Sequence, residues 1–463
     1  MSGDQRTPAR VFSRSRPQSP YVPPSGAAVS SHSNDRVAEL LLALLPLSNL
    51  YNASFVGQLF GVELLFFLLL PILLLLSKWE LANSSRTTVK ILALWFLIQI
   101  ATDIAQDISL GDLLRGWAKL LAFALDYYVL SKLLTTPRRL LAFLLGWSVV
   151  YPFNSSLEEF DFATDWKFGI GFAIPIASAS ALLLLLPTRI RLIAALVSII
   201  CMADAIVSLA LTARNNFLAE FVAAVLLAST LFSPTRRILH IAIIRYPIAG
   251  VAGGLLAIYL AGLAYVTLAE SGTLGSTAYE KLQTQQVRGV DPVLGLFIGG
   301  RSEYNTSFVA IKDSPIFGHG SWFRSAYYYS YYVDSVHQFG SPEQINQVDS
   351  TVSVGEPLVP THSHLFGSWV ESGIIGAVFW LLALWTSFRA LQRSVDLTST
   401  IHVIVIVTFF QFVWNILFSP FGGSARLSAA VLIVLYQAAC RSNDWVSRSG
   451  ETEGPRKSTT KSL

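Results

Sequence analysis

The chain has 463 residues, of which 53% are hydrophobic and only 13% charged, with a mean hydropathy of +0.53. A soluble chain needs about 25% charged residues to face water, so this composition excludes an ordinary soluble protein and makes lipid the solvent for most of the fold. The net charge of +4 excludes little, and Cys201 and Cys440 lie in separate apolar stretches with neither metal-ligand spacing nor a disulfide framework.

Residues 1–36 are rich in Ser, Pro and Arg, without an apolar run or a small-residue cleavage site. They read as a disordered cytoplasmic tail rather than a signal peptide. Apolar stretches of about 17–25 residues follow, the length that crosses a hydrocarbon core. They fall near 37–52, 57–77, 89–106, 115–134, 139–154, 168–187, 191–212, 215–233, 246–268, 365–388, 399–418 and 427–441, the first being short and broken by Pro46. The fold class expected is therefore an all-α polytopic membrane protein of about twelve transmembrane helices. Residues 37–268 carry spans one to nine, 269–364 form one large loop, 365–441 carry the last three spans, and 442–463 form a second disordered cytoplasmic tail.

Lysine and arginine orient these spans. With the N-terminus inside, the inner turns carry Lys78, Arg86 and Lys90, then Lys132, Arg138 and Arg139, then Arg189 and Arg191, Arg236 and Arg237, Arg389 and Arg393, and Arg441. The outer turns carry acids instead: Asp103, Asp107 and Asp112, then Glu158, Glu159, Asp161 and Asp165. Both termini then lie in the cytoplasm. Residues 236–247 read as a run along the inner interface before the ninth span.

The loop at 269–364 falls on the outer side, and a hydrophilic connection that long is usually functional. It holds four of the seven histidines, His319, His337, His362 and His364. Segments 278–288 and 303–313 read as helices. The tyrosines between Tyr327 and Tyr332 suit either an interfacial aromatic belt or a sugar-stacking platform. No internal repeat is visible, and the absence of a phosphate-binding glycine loop argues against an ATP-driven pump.

Three arginines oppose the charge bias: Arg214 and Arg426 at outer helix mouths, and Arg301 in the loop. A cation so placed calls for an anion. That anion could be Glu220, Asp165 or a lipid phosphate, or it could be a bound diphosphate, which suits the guanidinium fork. At the loop's end, His362-Ser363-His364 precedes Glu371-Ser372-Gly373. Such a pair can cap a helix or accept a proton at the membrane boundary. A metal site would need a third ligand that the sequence does not offer, so no metal is expected. Asp126 and Asp204 sit mid-span, where acids either line a transport path or pair with Ser and Thr hydroxyls.

From Gly300 to Gly376 the chain resembles the periplasmic loop of the O-antigen ligase and polysaccharide polymerase superfamily. Three pieces carry the likeness. Gly300-Arg301 is followed by Pro315-Ile316-Phe317-Gly318-His319-Gly320; His362-Ser363-His364 is followed nine residues after His362 by Glu371-Ser372-Gly373; and Thr212-Ala213-Arg214 stands at an outer helix mouth. Ser363 replaces the family's usual Asn, and Ala213 its usual Ser. The resemblance implies a metal-independent, inverting, membrane-embedded glycosyltransferase of a bacterial inner membrane, needing no cofactor. Its donor would be a glycan on undecaprenyl diphosphate, and no nucleic acid is involved. It implies His362 as general base, with His364 as the rival for that role, Arg301 and Arg214 as stabilisers of the leaving diphosphate, and His364, Arg426, Glu371 and His319 as substrate contacts. A polymerase would pass the glycan to a lipid-linked repeat unit, a ligase to a lipid or protein acceptor. A glycan or ion transporter is the reading outside the family.

Overall fold

The structure, a computed structural model, describes residues 27–441 except 55–56, 77–80, 155–161, 212, 287–289, 300, 302, 341 and 351–355. The chain divides after Ala38 into an N-terminal unit and a unit from Glu39 onward, which contains every element after the first helix. The tail expected at 442–463 and most of the one expected at 1–36 lie outside the described residues. The first helix, α1 (Ala27–Leu44), begins inside the expected tail. No proline or glycine interrupts it.

A short antiparallel hairpin follows, β1 (Asn52–Ser54) and β2 (Gln58–Phe60), with Ala53 opposite Leu59. Then come α2 (Gly61–Leu76), α3 (Asn83–Ala105), α4 (Leu110–Leu133) and α5 (Pro137–Val150). Next are α6 (Phe162–Asp165), which runs through a wide turn at Trp166–Ile170 into α7 (Gly171–Leu185), then α8 (Ile190–Ala210) and α9 (Arg214–Leu231). α10 (Ser233–Leu239) leads to α11 (Pro247–Glu270). The long connection holds α12 (Ser276–Gln285), α13 (Pro292–Gly299), α14 (Glu303–Asp313), α15 (Ala326–Phe339) and α16 (Pro342–Ser350). The chain ends in α17 (His364–Ser394), α18 (Ile401–Phe418) and α19 (Ala425–Cys440).

A helix occupies every apolar stretch seen in the sequence. Among the described residues six helical segments are long and apolar enough to cross a membrane: α3, Phe162–Leu185, α8, α11, α17 and α18. The chain is thus an all-helical membrane protein apart from its hairpin. Of the other apolar stretches, α2 and α19 have 16 residues each, and α4 carries Asp112, Arg115, Lys119, Asp126 and Lys132. Beyond α9 the helical path bends by 120° over Ser233–Arg245, in the segment expected to leave the membrane axis. The two helices expected in the long connection are present as α12 and α14, and the tyrosine tract lies on α15.

An aromatic cluster holds α3, α4 and α17 together. Trp95, Phe123, Phe379, Trp380 and Phe421 pack with ring centroids 4.9–6.2 Å apart, and such pairs contribute about 0.5–1.5 kcal/mol each beyond buried area. Packing of this kind, rather than the hydrophobic effect, associates helices in lipid. Trp95 Nε1 donates to Ser372 Oγ (2.8 Å), and Trp380 Nε1 to Ser368 Oγ (2.9 Å). The expectation that Asp126 and Asp204 pair with Ser or Thr hydroxyls is not met: both are buried, and neither carboxylate has a hydrogen-bond partner among the described residues.

α17 breaks at Gly373, whose φ of 62° and ψ of −155° are closed to most side chains. The backbone groups that the break frees are met by the segment before α15. His319 N donates to Val370 O (2.7 Å), Gly320 N to Glu371 O (3.0 Å) and Ile374 N to Ile316 O (3.3 Å). The approach is so close that a Cβ on Gly373 would lie 1.9 Å from Ile316 O, and one on Gly318 (φ 78°) 2.6 Å from Gly373 N. Pro315–Gly320 and Glu371–Gly373, separate in sequence, are thus one backbone clasp. It positions the start of α17, and with it His362.

Candidate functional site

A cavity of about 980 Å³ is lined by residues of the wide turn, α9, α11, α18 and the segments flanking α14 and α17. Three cations reach it: Lys167, Arg214 and Arg301. Each is placed by a local rule. Asn216 on α9 braces the wide turn by donating from Nδ2 to two of its carbonyls, at 3.2 Å to Trp166 O and 3.0 Å to Lys167 O. Wide turns of this kind recur at functional positions, and here one carries Lys167. Arg214 is the first residue of α9, its guanidinium carbon 5.4 Å from the centroid of the Tyr265 ring. Arg301 lies over Trp414 (5.9 Å) and Phe418 (5.8 Å) on α18. Tyr304 anchors that contact by donating to Leu417 O and stacking on Phe418 at 5.9 Å.

The charges of Arg214 and Arg301 both act on Lys167, and neither Lys167 nor Arg301 forms an ion pair among the described residues. Like charges gathered beside apolar walls repel one another strongly unless an anion joins them. The cavity is therefore built for a ligand with at least one strongly anionic group and an apolar portion.

His362 lines the same cavity, and its Nδ1 lies 2.9 Å from Glu303 Oε1. The histidine side chain is 45% exposed and the glutamate 7%, so the ring can meet a substrate while its partner stays enclosed. Burial works to raise the Glu303 carboxyl, but the hydrogen bond and charge of His362, with help from Arg301, outweigh it and hold the carboxyl below its ordinary value. An ionised Glu303 accepting from Nδ1–H leaves the ring's lone pair on Nε2. That arrangement suits a proton acceptor held in one orientation.

The neighbouring residues are fastened elsewhere. Ser363 caps α17 by accepting from Phe366 N (3.0 Å), and donates to Ile416 O (2.9 Å). His364 is buried, its Nδ1 2.7 Å from Ser419 O and its ring 4.8 Å from Trp380 and 5.3 Å from Phe421. It touches the cavity, but as part of its wall. Ser363 and His364 together pin the start of α17 to the end of α18 and leave His362 outermost.

Of the substrate contacts implied by the resemblance, three are placed differently. Arg426 is buried and grips Glu63 through two bonds, Nε–Oε1 at 2.7 Å and NH2–Oε2 at 2.9 Å, with a further bond to Gln58 O at 2.5 Å. Glu371 pairs with Lys119. His319 bonds to Ala310 O at 2.8 Å and stacks on Phe323 at 4.3 Å. None of the three lines the cavity of Arg301 and His362. Each side chain is engaged inside the protein: Arg426 by Glu63 and the hairpin, Glu371 by Lys119 on α4, and His319 by the Ala310 carbonyl on α14.

Lys167 in the cavity wall and Glu303 behind His362 escape the sequence reading. Lys167 carries the same signal that singled out Arg214, a cation on the acidic side, but it hides behind Asp161 and Asp165. Glu303 is just two residues beyond Arg301; its partnership with His362 exists only in three dimensions. Scans against protein-family models and curated proteins find no match to this chain.

Proposed function

We propose that the protein is an inverting glycosyltransferase that uses a glycan carried on a polyprenyl diphosphate, with a polymerase activity on lipid-linked repeat units. The observation that carries this reading is the meeting of His362–Glu303 with Lys167, Arg214 and Arg301 in one apolar-walled cavity. A diphosphate supplies an anion for Lys167 and Arg301, which form no ion pair among the described residues, and a polyprenyl chain suits the apolar walls. In the reaction an acceptor hydroxyl attacks the anomeric carbon on the face opposite the diphosphate. The bond from carbon to the diphosphate oxygen breaks, its electron pair stays on the diphosphate, and the hydroxyl proton passes to His362 Nε2. Charge grows on the leaving oxygens, where fixed cations stabilise the transition state more than the ground state. Glu303 orients the imidazole and balances the charge it gains.

This reading takes the twelve helical stretches as twelve spans, with both termini in the cytoplasm and residues 269–364 on the periplasmic face of a bacterial inner membrane. The charge asymmetry of the turns and the likeness of residues 300–376 to the O-antigen ligase and polysaccharide polymerase superfamily support it. The test is turnover of a lipid-linked repeat by purified His362→Ala, alongside the glycan phenotype of a deletion strain. A positioned base contributes about 10²–10⁴-fold, so the variant should lose that much rate while still binding undecaprenyl diphosphate. Normal turnover by His362→Ala would sink the mechanism. Accumulation of single lipid-linked repeats in the deletion strain marks a polymerase, and full-length unattached polymer marks a ligase instead.

A further inference from the structure

A second cavity, of about 480 Å³, adjoins the first, and the two share His362, Pro420 and Gly422 in their walls. Its size falls within the ~300–1,000 Å³ typical of small-molecule sites. Its chemistry differs from that of the first. Its cations already have acids: Arg426 has Glu63, Lys119 has Glu371, and Arg115 Nη1 lies 3.1 Å from Asp112 Oδ1. A diphosphate would have to displace an internal partner to bind here, whereas an uncharged ligand would not.

Trp322 stands in this wall in an unusual state. Its φ is 49°, in the left-handed region that bulky residues avoid. Strain of that kind persists only where surrounding structure imposes it, and it gathers at ligand sites. Here the imposition is visible. On one side Ser321 N and Oγ are held by Asp103 Oδ1 and Oδ2 at 2.6 and 2.8 Å, and on the other Phe323 O accepts from Val359 N at 2.9 Å. The guanidinium of Arg115 lies 5.9 Å from the ring centroid, and the indole N–H is buried without a partner among the described residues. A strained, rigidly held indole, in a wall shared with the catalytic histidine, suits a sugar ring. The C–H face of a pyranose packs on the indole ring.

We infer that the second cavity is a subsite for an uncharged pyranose, with Trp322 as its stacking platform, and that it presents the acceptor hydroxyl to His362. The role as acceptor site rests on the glycosyl-transfer reading above; the saccharide site itself does not. The subsite also bears on substrate class: the acceptor enters by its sugar end, with its own anionic group kept outside both cavities.

The test is saturation-transfer NMR on the full-length protein in detergent, with methyl glucoside, methyl mannoside, methyl galactoside and methyl N-acetylglucosaminide as probes. Trp322→Gly is the informative variant, because glycine is at ease with φ of 49° and the turn can keep its backbone path without the ring. One or more probes should receive saturation from the wild type, and Trp322→Gly should weaken that binding about tenfold, the upper end of what one stacked ring contributes. Arg301→Ala should leave it unchanged. Equal signals from wild type and Trp322→Gly, or no signal from any probe, would overturn the inference. If Arg301→Ala instead keeps full affinity for undecaprenyl diphosphate, the donor reading fails and the saccharide subsite stands.

Discussion

Arg301 and Arg426 look alike in the sequence, since both are arginines in turns that the charge pattern assigns to the side where arginine is scarce. The fold treats them in opposite ways. Arg426 is enclosed against Glu63 and the hairpin carbonyl of Gln58, with every strong bond internal. Arg301 has only aromatic rings beneath it and a cavity in front. A misplaced cation therefore signals an anion without telling whether that anion belongs to the chain. The difference lies in whether an acid from another element reaches it. Glu63 at the start of α2 reaches Arg426, and nothing comparable reaches Arg301 among the described residues.

The comparison can be broken first at Arg426. Removing it leaves Glu63 buried and unbalanced, which costs about 3–5 kcal/mol. Arg426→Ala should therefore lower the thermal midpoint sharply in detergent, as read by loss of monodisperse protein on heating. The double change Glu63→Leu with Arg426→Met should recover most of that loss, because a packed apolar pair can replace a buried ion pair. If the single variant melts like the wild type, the pair is not structural and Arg426 returns to the list of substrate contacts.

Arg301→Ala should do the reverse, leaving the midpoint near that of the wild type and reducing turnover by about 10²–10³-fold, the usual cost of losing one stabiliser of developing charge. Arg301→Lys should recover little, since a point charge does not match a diphosphate as the planar fork does. A variant that unfolds early, or one that turns over normally, would erase the contrast with Arg426.

Much of this was legible in the sequence, for identifiable reasons. Apolar length alone located a helix in each of the twelve stretches, because every backbone polar group in lipid must be satisfied within its own helix. Charge placement singled out Arg214 and Arg301, which the fold brings to one cavity, and the helix at 303–313 was visible from its residues. What could not be read are partnerships made at long range. Glu63 and Arg426 lie 363 residues apart, and the clasp that takes up His319 and the backbone of Glu371 depends on the break at Gly373. His319, Glu371 and Arg426 share their residue types with true ligand contacts. Only the fold shows that their capacity is already used.

The smallest expected effect concerns Glu303, which pairs with His362 at the candidate site yet is buried like a structural residue. Its carboxyl is held below its ordinary value by His362 and Arg301, against the opposing effect of burial. A depressed carboxyl favours the folded state wherever the unfolded chain would hold more protons, and that advantage is complete above the ordinary glutamate value of about 4.3. It fades as pH falls through the lower folded value, where the native state takes up the same proton. The wild type should thus outlast Glu303→Gln on heating at pH 6 and 7 by a degree or two, with the two curves converging below about pH 4. The same variant separates site from scaffold. A residue that only props the fold would change the melting curve and spare kcat, whereas one that balances charge on His362 should lower kcat by about tenfold or more, with KM little changed. Matching melts at every pH together with an unchanged kcat would remove Glu303 from the site and leave His362 without its partner.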